Sequence, residues 1–184
     1  QILSGFSFYE RKETKDMISY MRLIVNPKDD MAFARVINEP KRGVGAKTIE
    51  KLRTLASVRG ESILETVSDP EVADGLSAKS REAVKQMTQV IDLCRREREN
   101  LRISDIYDSL LIKTGYMKAL EDENTIEAEG RIENLLDFKS FIYDFEKEKQ
   151  DAGEPATLEE FLEKVATDGD ADKYDAGSGK VTLM

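Results

Sequence analysis

The sequence predicts an all-α, irregular multi-helix domain with a helix-hairpin-helix-like glycine turn and short strand stubs at both termini. Three observations carry this prediction. Apolar residues recur at helical spacing in several separate windows. Ser, Thr and Asp stand repeatedly where a helix N-cap belongs. Pro27, Pro40, Gly60 and Gly115 then punctuate the windows near their ends.

Ile2 to Phe6 read as a short strand running into a turn, and the abrupt start without methionine reads as an excised piece. From about Arg11 to Val25, Met17, Ile18, Met21, Ile24 and Val25 follow helical spacing until Asn26-Pro27. Asp29 and Asp30 are N-cap candidates for a short helix carrying Phe33, Val36 and Ile37. Pro40 halts it, because the proline ring biases residue 39 away from the α region. Gly43 and Gly45 allow a tight turn, and Ile49, Leu52, Leu55 and Ala56 then give an amphipathic helix ending at Gly60.

Ser62 and Glu65 have capping-box spacing before a short helix that Asp69-Pro70 is expected to terminate. Ser77 caps a longer helix to about Asn100, with Val84, Met87, Ile91 and Cys94 on one face. Ser104 is the expected cap of the next, which Gly115 closes with Tyr116 packing back. A long helix from about Ile126 to Lys149 turns Ile132, Leu135, Phe138, Ile142 and Phe145 inward. Thr157 and Glu160 open a last helix, residues 168–179 are expected as loop or disorder, and Val181 to Met184 as the start of a strand.

With 184 residues, 40% hydrophobic and 35% charged, the chain is long enough for a real core and reads as soluble and globular. No apolar run approaches the ~20 residues that span a bilayer, so no membrane partner is expected. Cys94 is the only cysteine, which excludes an internal disulfide and suggests a reduced, cytoplasmic setting with the thiol in the core. There is no histidine, which removes Ser-His and Cys-His nucleophile pairs and His-containing zinc sites. Catalysis would have to rest on carboxylates, Lys or Tyr, and no acid-base pair is placed by the sequence.

Charge singles out one stretch. Pro40 to Arg59 holds six basic residues (Lys41, Arg42, Lys47, Lys51, Arg53, Arg59) against Glu50, a formal +5 in a chain of −9. The first turn of the helix after Gly45 leaves amide donors unpaired, which with the helix dipole suits a phosphate. A basic island in an acidic protein is the footprint of a contact that reads nucleic-acid backbone. A glycine turn with a solvated basic face explains the same residues, since a lone G-x-G is a weak signal. From Glu121 to Asp175, 19 carboxylates stand against six Lys and Arg, a formal −13, so that half should face away from DNA.

Two late patterns fail on inspection. Asp168, Asp170 and Asp172 alternate like an EF-hand start, but Lys173 and Gly179 occupy the positions that need Gly and Glu. Gly177-Ser178-Gly179-Lys180 hints at a Walker A loop, but Tyr174 and Val181 break it.

Several segments together resemble one family. Gly5-Phe6-Ser7-Phe8-Tyr9-Glu10-Arg11 with Glu13, Lys15 and Asp16, then Tyr20-Met21-Arg22-Leu23 and Asn26-Pro27-x-Asp29-Asp30, look like the junction of UvrD/PcrA/Rep-type superfamily 1 DNA helicases. Arg35-Val36-Ile37-Asn38, Pro40-x-Arg42-Gly43-Val44-Gly45, Arg131-Ile132-Glu133-Asn134-Leu135 and Val181-Thr182-Leu183-Met184 extend the likeness along nearly the whole chain.

The resemblance implies the helical 2B subdomain, inserted in the second RecA-like domain. Residues 1–10 would be a stub of that host and the junction, 11–167 the subdomain, and 168–184 a linker and returning strand. The parent enzyme would use ATP and magnesium to translocate 3′ to 5′ on single-stranded DNA, partnered by its remaining helicase domains. The fragment itself, lacking Walker A, Walker B and arginine-finger residues, would bind no cofactor and hydrolyse no ATP. Carried over residue by residue, duplex-DNA contacts would be Lys41, Arg42, Gly43, Val44, Gly45, Lys47 and Thr48, with Val44 where the family often has Ile. Arg11, Glu13, Lys15 and Asp16 would organise the hinge. A helical protein-interaction module without direct DNA contact is the alternative reading.

Overall fold

The computed structural model describes residues 8–178, and among these the architecture is all-α with ten helices and no strand. The expected strand stubs at Ile2–Phe6 and Val181–Met184 lie outside the described residues.

The first helix, α1 (Lys12–Val25), is the centre of the fold. Nine of its fourteen residues are buried, Met17, Tyr20, Met21, Leu23 and Ile24 completely, because α2 (Asp30–Val36), α6 (Ala78–Glu97), α7 (Ile103–Lys113), α9 (Ile126–Asp151) and α10 (Leu158–Ser178) all pack around it. A helix covered on most sides has no single apolar stripe. Hence Tyr20 and Leu23 are core, while Ile18 and Val25, expected inside, are only partly buried.

Several caps form as the sequence requires. Asp29 accepts from the Ala32 amide at the start of α2. Ser62 and Glu65 make a reciprocal capping box on α4 (Ile63–Val67), and Ser77 accepts from Ser80 at the head of α6. Between them, α3 (Ala46–Arg59) ends on Gly60. Phe138 and Phe145 of α9, Phe161 of α10 and Phe8 gather in an aromatic cluster, with Phe145 and Phe161 5.4 Å apart edge to face. Cys94 of α6 is buried in the helical core, and burial raises its thiol pKa, as a packing role requires.

Four expectations change. Asp69-Pro70 begins α5 (Pro70–Asp74) instead of merely stopping α4: Asp69 accepts from the Glu71 amide and Pro70, lacking an N–H, suits the first helical position. Gly115 closes α7 but also starts α8 (Tyr116–Glu123), with Tyr116 buried. Ser104 does not cap α7. Arg102 holds the cap position, and Ser104, the second residue of the helix, is buried with its amide and Oγ both donating to the Glu146 carboxylate at 2.9 and 2.8 Å.

The fourth change is that residues 168–178 are helical. Leu158, Phe161 and Val165 anchor the start of α10 in the core, so the costly nucleus is formed there and the later residues only propagate it. Ion pairs of Lys164 with Asp168 and of Lys173 with Asp170 and Glu10 support the extension. Asp168, Asp170 and Asp172 therefore lie on a helix and not in a calcium loop, and no group of three metal-ligating side chains occurs among the described residues. Among those residues, no helix is long and apolar enough to cross a membrane.

Candidate nucleic-acid interface

The glycine turn joins α2 to α3, and its shape is set by groups that bind it from behind. Asn38 brackets Val44: its Oδ1 accepts from the Val44 amide at 2.9 Å and its Nδ2 donates to the Val44 carbonyl. The Val44 side chain is 1% exposed and plugs the core. Gly43 has φ +77°, a conformation that costs a residue with a Cβ ~1–2 kcal/mol. Gly45 is different. Its φ of −74° suits any residue, and nothing lies within 4 Å of where its Cβ would be, so the missing side chain leaves open space outside the protein.

That space lies before the uncapped N-terminus of α3. No side chain caps Gly45, and the amides of Gly45, Ala46 and Lys47 have no acceptor among the described residues. Thr48 and Ile49 donate to the Gly45 carbonyl at 3.0 and 3.1 Å. Only Leu52 and Ala56 of α3 are buried, so most of its surface is presented outward.

The six basic residues of the island have separate fates. Arg42 turns inward: Nη1 donates to the carbonyls of Val36 (2.9 Å), Ile37 (3.0 Å) and Glu39 (3.4 Å), and Nη2 to Tyr20 Oη (2.8 Å) and the Thr114 carbonyl (3.1 Å). The guanidinium thus satisfies the C-terminal carbonyls of α2 and α7, where the helix dipole favours a cation. Arg53 pairs with Glu50, and Arg59 with Asp69 and Glu61. Lys41, Lys47 and Lys51 are exposed and form no ion pair among the described residues. Of the seven residues expected to meet DNA, Gly45, Lys47 and Thr48 lie at the open α3 terminus and Gly43 just before it; Arg42 and Val44 hold the turn, and Lys41 is exposed ahead of it, lining a groove with Glu39, Tyr116, Leu120 and Glu123.

Tyr20, Asn38 and Thr114, behind the turn, carry no charge that could have marked them. Burial raises the Tyr20 pKa to about 12 even though Arg42 beside it works the other way.

The junction residues form a second constellation on the opposite stretch of α1. Arg11 Nη1 donates to Asn134 Oδ1 and stacks its guanidinium 5.7 Å from the Phe8 ring centre. Glu13, 4% exposed, accepts from Asn134 Nδ2. Lys15 pairs with Glu10 on the surface. Asp16, 1% exposed, is held by Lys12 (3.1 Å), Arg35 (3.0 Å) and Tyr116 Oη (2.7 Å). Arg11, Glu13 and Asp16 therefore fasten α1 to α9, α2 and α8. The segments around Glu13 and Asn134, far apart in sequence, meet here.

Residues 1–184 match the family described as the UvrD-like helicase C-terminal domain. The whole chain aligns with ATP-dependent DNA helicase PcrA of Bacillus subtilis (strain 168), at 36% identity over 189 residues and 25% of that protein's length. PcrA of Staphylococcus aureus (strain Mu50 / ATCC 700699) is 37% identical over 183 residues and PcrA of Leuconostoc citreum 33% over 186, with 24% and 25% of those proteins covered. The chain thus spans about a quarter of the length of the curated relatives it matches. It belongs to the UvrD-like helicase C-terminal domain family.

Proposed function

We propose that this chain is the duplex-DNA-binding and regulatory 2B subdomain of a 3′ to 5′ ATP-dependent DNA helicase that acts in DNA repair or replication. It does no ATP chemistry itself. ATP and magnesium belong to the remaining helicase domains of the parent enzyme, to which residues 1–10 and 168–184 connect the helical body. The α2–turn–α3 unit serves as a helix-hairpin-helix-like element, and Arg11, Glu13, Lys15 and Asp16 as the hinge side of the subdomain.

The observation that carries the reading is the open α3 terminus: three free amides, with Lys47 in the first turn, Lys51 one turn on and Lys41 ahead of the glycines, none of these lysines in an ion pair among the described residues. Amides and lysines of this kind hold phosphate oxygens without reading bases. Lys41, Gly43, Gly45, Lys47 and Thr48 meet the backbone of double-stranded DNA, while Arg42 and Val44 position them.

Three lysines neutralising three phosphates give a log-log salt slope of about −3, at ~0.9 per phosphate. Duplex titrations of the 184-residue chain between about 50 and 200 mM salt measure it. Lys41→Ala with Lys47→Ala flattens the slope by about 2. Salt-independent binding, or none, together with capture of separately prepared helicase core domains, overturns this reading in favour of a protein-interaction module.

A further inference from the structure

Much of the large apolar surface that the fold leaves in solvent is gathered on one pair of helices. Of the eight large hydrophobic residues exposed among the described residues, Leu101, Ile112, Ile126, Leu136 and Tyr143 belong to α7, to α9 or to the loop before α7. The two helices run antiparallel, since Ser104 meets Glu146 and Asp108 meets Lys139. Ile112 stands one turn beyond Asp108 on α7, and Leu136 and Tyr143 stand one turn either side of Lys139 on α9. All three therefore share the side marked by the Asp108–Lys139 pair. Ile112 is 76% exposed, Leu136 53% and Tyr143 43%. At the Tyr143 end a cleft of about 810 Å³ is lined by Leu101 and Tyr143, with Ala156 and Glu146 also in its wall.

The charge beside this face is one-sided. Glu133, Asp137, Asp144, Glu148 and Asp151 occupy the next ridge of α9, about 60–120° round from Leu136 at 3.6 residues per turn. Only Asp137 of these has an ion-pair partner among the described residues, Arg11 at 3.9 Å. Lys147, between the apolar line and the ridge, is unpaired among the described residues and is the lone cation set against them on α9 there. Glu133 with Asp137 and Asp144 with Glu148 are like-charge neighbours one turn apart, which weakens α9, and a cationic partner relieves the repulsion. The same ridge repels nucleic acid and an anionic lipid surface, and a second copy docked face to face brings two such ridges together.

We infer that the outer face of the α7–α9 pair is a docking site for a basic amphipathic helix of another protein. The apolar stripe of that helix lies over Ile112, Leu136 and Tyr143, one large side chain enters the cleft beside Leu101, and its lysines or arginines follow the α9 ridge. Helix-in-groove recognition divides the work in this way, with apolar anchors for affinity and charge for orientation. The face shares no residue with the glycine turn, so this site stands or falls separately from the duplex-binding reading.

The probe is a fluorescein-labelled model helix of about 18 residues, Leu on one face and Lys on the other, titrated with the 184-residue chain and followed by anisotropy. Leu136→Ser with Tyr143→Ser weakens binding ~10-fold or more, since covering one large apolar side chain is worth a factor of that order. Asp144→Asn with Glu148→Gln weakens it and flattens its dependence on salt. Met31→Ser, which removes an exposed apolar side chain from α2, is the control and leaves the affinity unchanged. All of these variants alter exposed side chains, and far-UV circular dichroism checks that they stay folded.

Parental affinity in Leu136→Ser with Tyr143→Ser overturns the inference, as does an equal loss in Met31→Ser. Sedimentation that shows dimers of the parent chain, dissociated by Leu136→Ser, also overturns it and assigns the face to a second copy. Displacement of the probe by separately prepared helicase core domains overturns it in favour of a contact inside the parent enzyme.

Discussion

Arg42→Ala separates the role that charge assigns to this residue from the role that geometry assigns. Read as a member of the basic island, Arg42 is a DNA contact whose loss costs affinity and no stability. In the structure it donates four bonds of 3.1 Å or shorter to Val36, Ile37, Tyr20 and Thr114, and a weak fifth to Glu39. At a net ~1 kcal/mol each, their removal costs about 3–4 kcal/mol. For a chain of this size that lowers Tm by roughly 10 °C. The acceptors are neutral carbonyls and a hydroxyl, so the loss should persist in high salt, unlike that of a surface ion pair. Arg42→Lys should recover less than half, because one ammonium cannot span the α2 carbonyls and Thr114 as the planar fork does. Thermal melts followed by far-UV circular dichroism measure this directly. A variant that melts with the parent and loses duplex affinity with a flattened salt slope would refute the anchoring role and return Arg42 to the DNA-facing set.

Two further outcomes follow from the same region. Gly43→Ala places a Cβ at φ +77° and against the Lys79 side chain, so it should lower stability in urea by ~1–2 kcal/mol; parental stability would mean the turn can adopt another backbone. Tyr20 gives a pH signature: its unfolded phenol ionises near ~10 and its folded one at about 12, so over that window the unfolded state binds fewer protons and stability falls as pH rises. The loss is about 3 kcal/mol from this residue, and burial of Tyr107 and Tyr116 acts in the same direction. Urea midpoints should decline from pH 10 to 12 and decline less in Tyr20→Phe; a flat profile would contradict the buried, neutral phenol.

How much of this was legible depended on whether the signal was local. Asp29, Ser62 with Glu65, Ser77 and Gly60 act on neighbours within a few residues, so spacing alone located them. Ser104 misled because its hydroxyl partner, Glu146, is distant in sequence, and a serine in the first turn of a helix looks like a serine at its cap. Asp69-Pro70 was ambiguous by nature: the pair that ends one helix also begins another. The polar tail of α10 lacked an apolar stripe to announce it, and its helicity derives from the anchored first turns. At the site, glycine spacing and positive charge found the turn. Charge could not tell Lys41, which faces solvent, from Arg42, whose partners Tyr20 and Thr114 come from other helices. The closeness of Lys79 to Gly43 has no mark in the sequence, because only the docking of α6 brings the two together.

The turn is referenced to α1 more than to the helix it precedes. Glu13, Asp16 and Tyr20 recur at intervals of three and four, which puts them on one side of α1. Each is buried and bonded to a different neighbour: Asn134 of α9, Arg35 and Tyr116 of α2 and α8, and Arg42 of the turn. A shift of α1 would strand several buried polar groups at once, each at a cost of ~1–3 kcal/mol or more when charged, so this face fixes the helix in place. By contrast α3 buries fully only Leu52 and Ala56, with Ile49 packed partly buried against the core. This helix can therefore lie at the periphery with its amides uncapped, since its entry is fixed from behind by Arg42 and Asn38. The duplex contact proposed for this surface needs bare donors in a set place, and the free amides of α3 and the groups that place them sit on different elements.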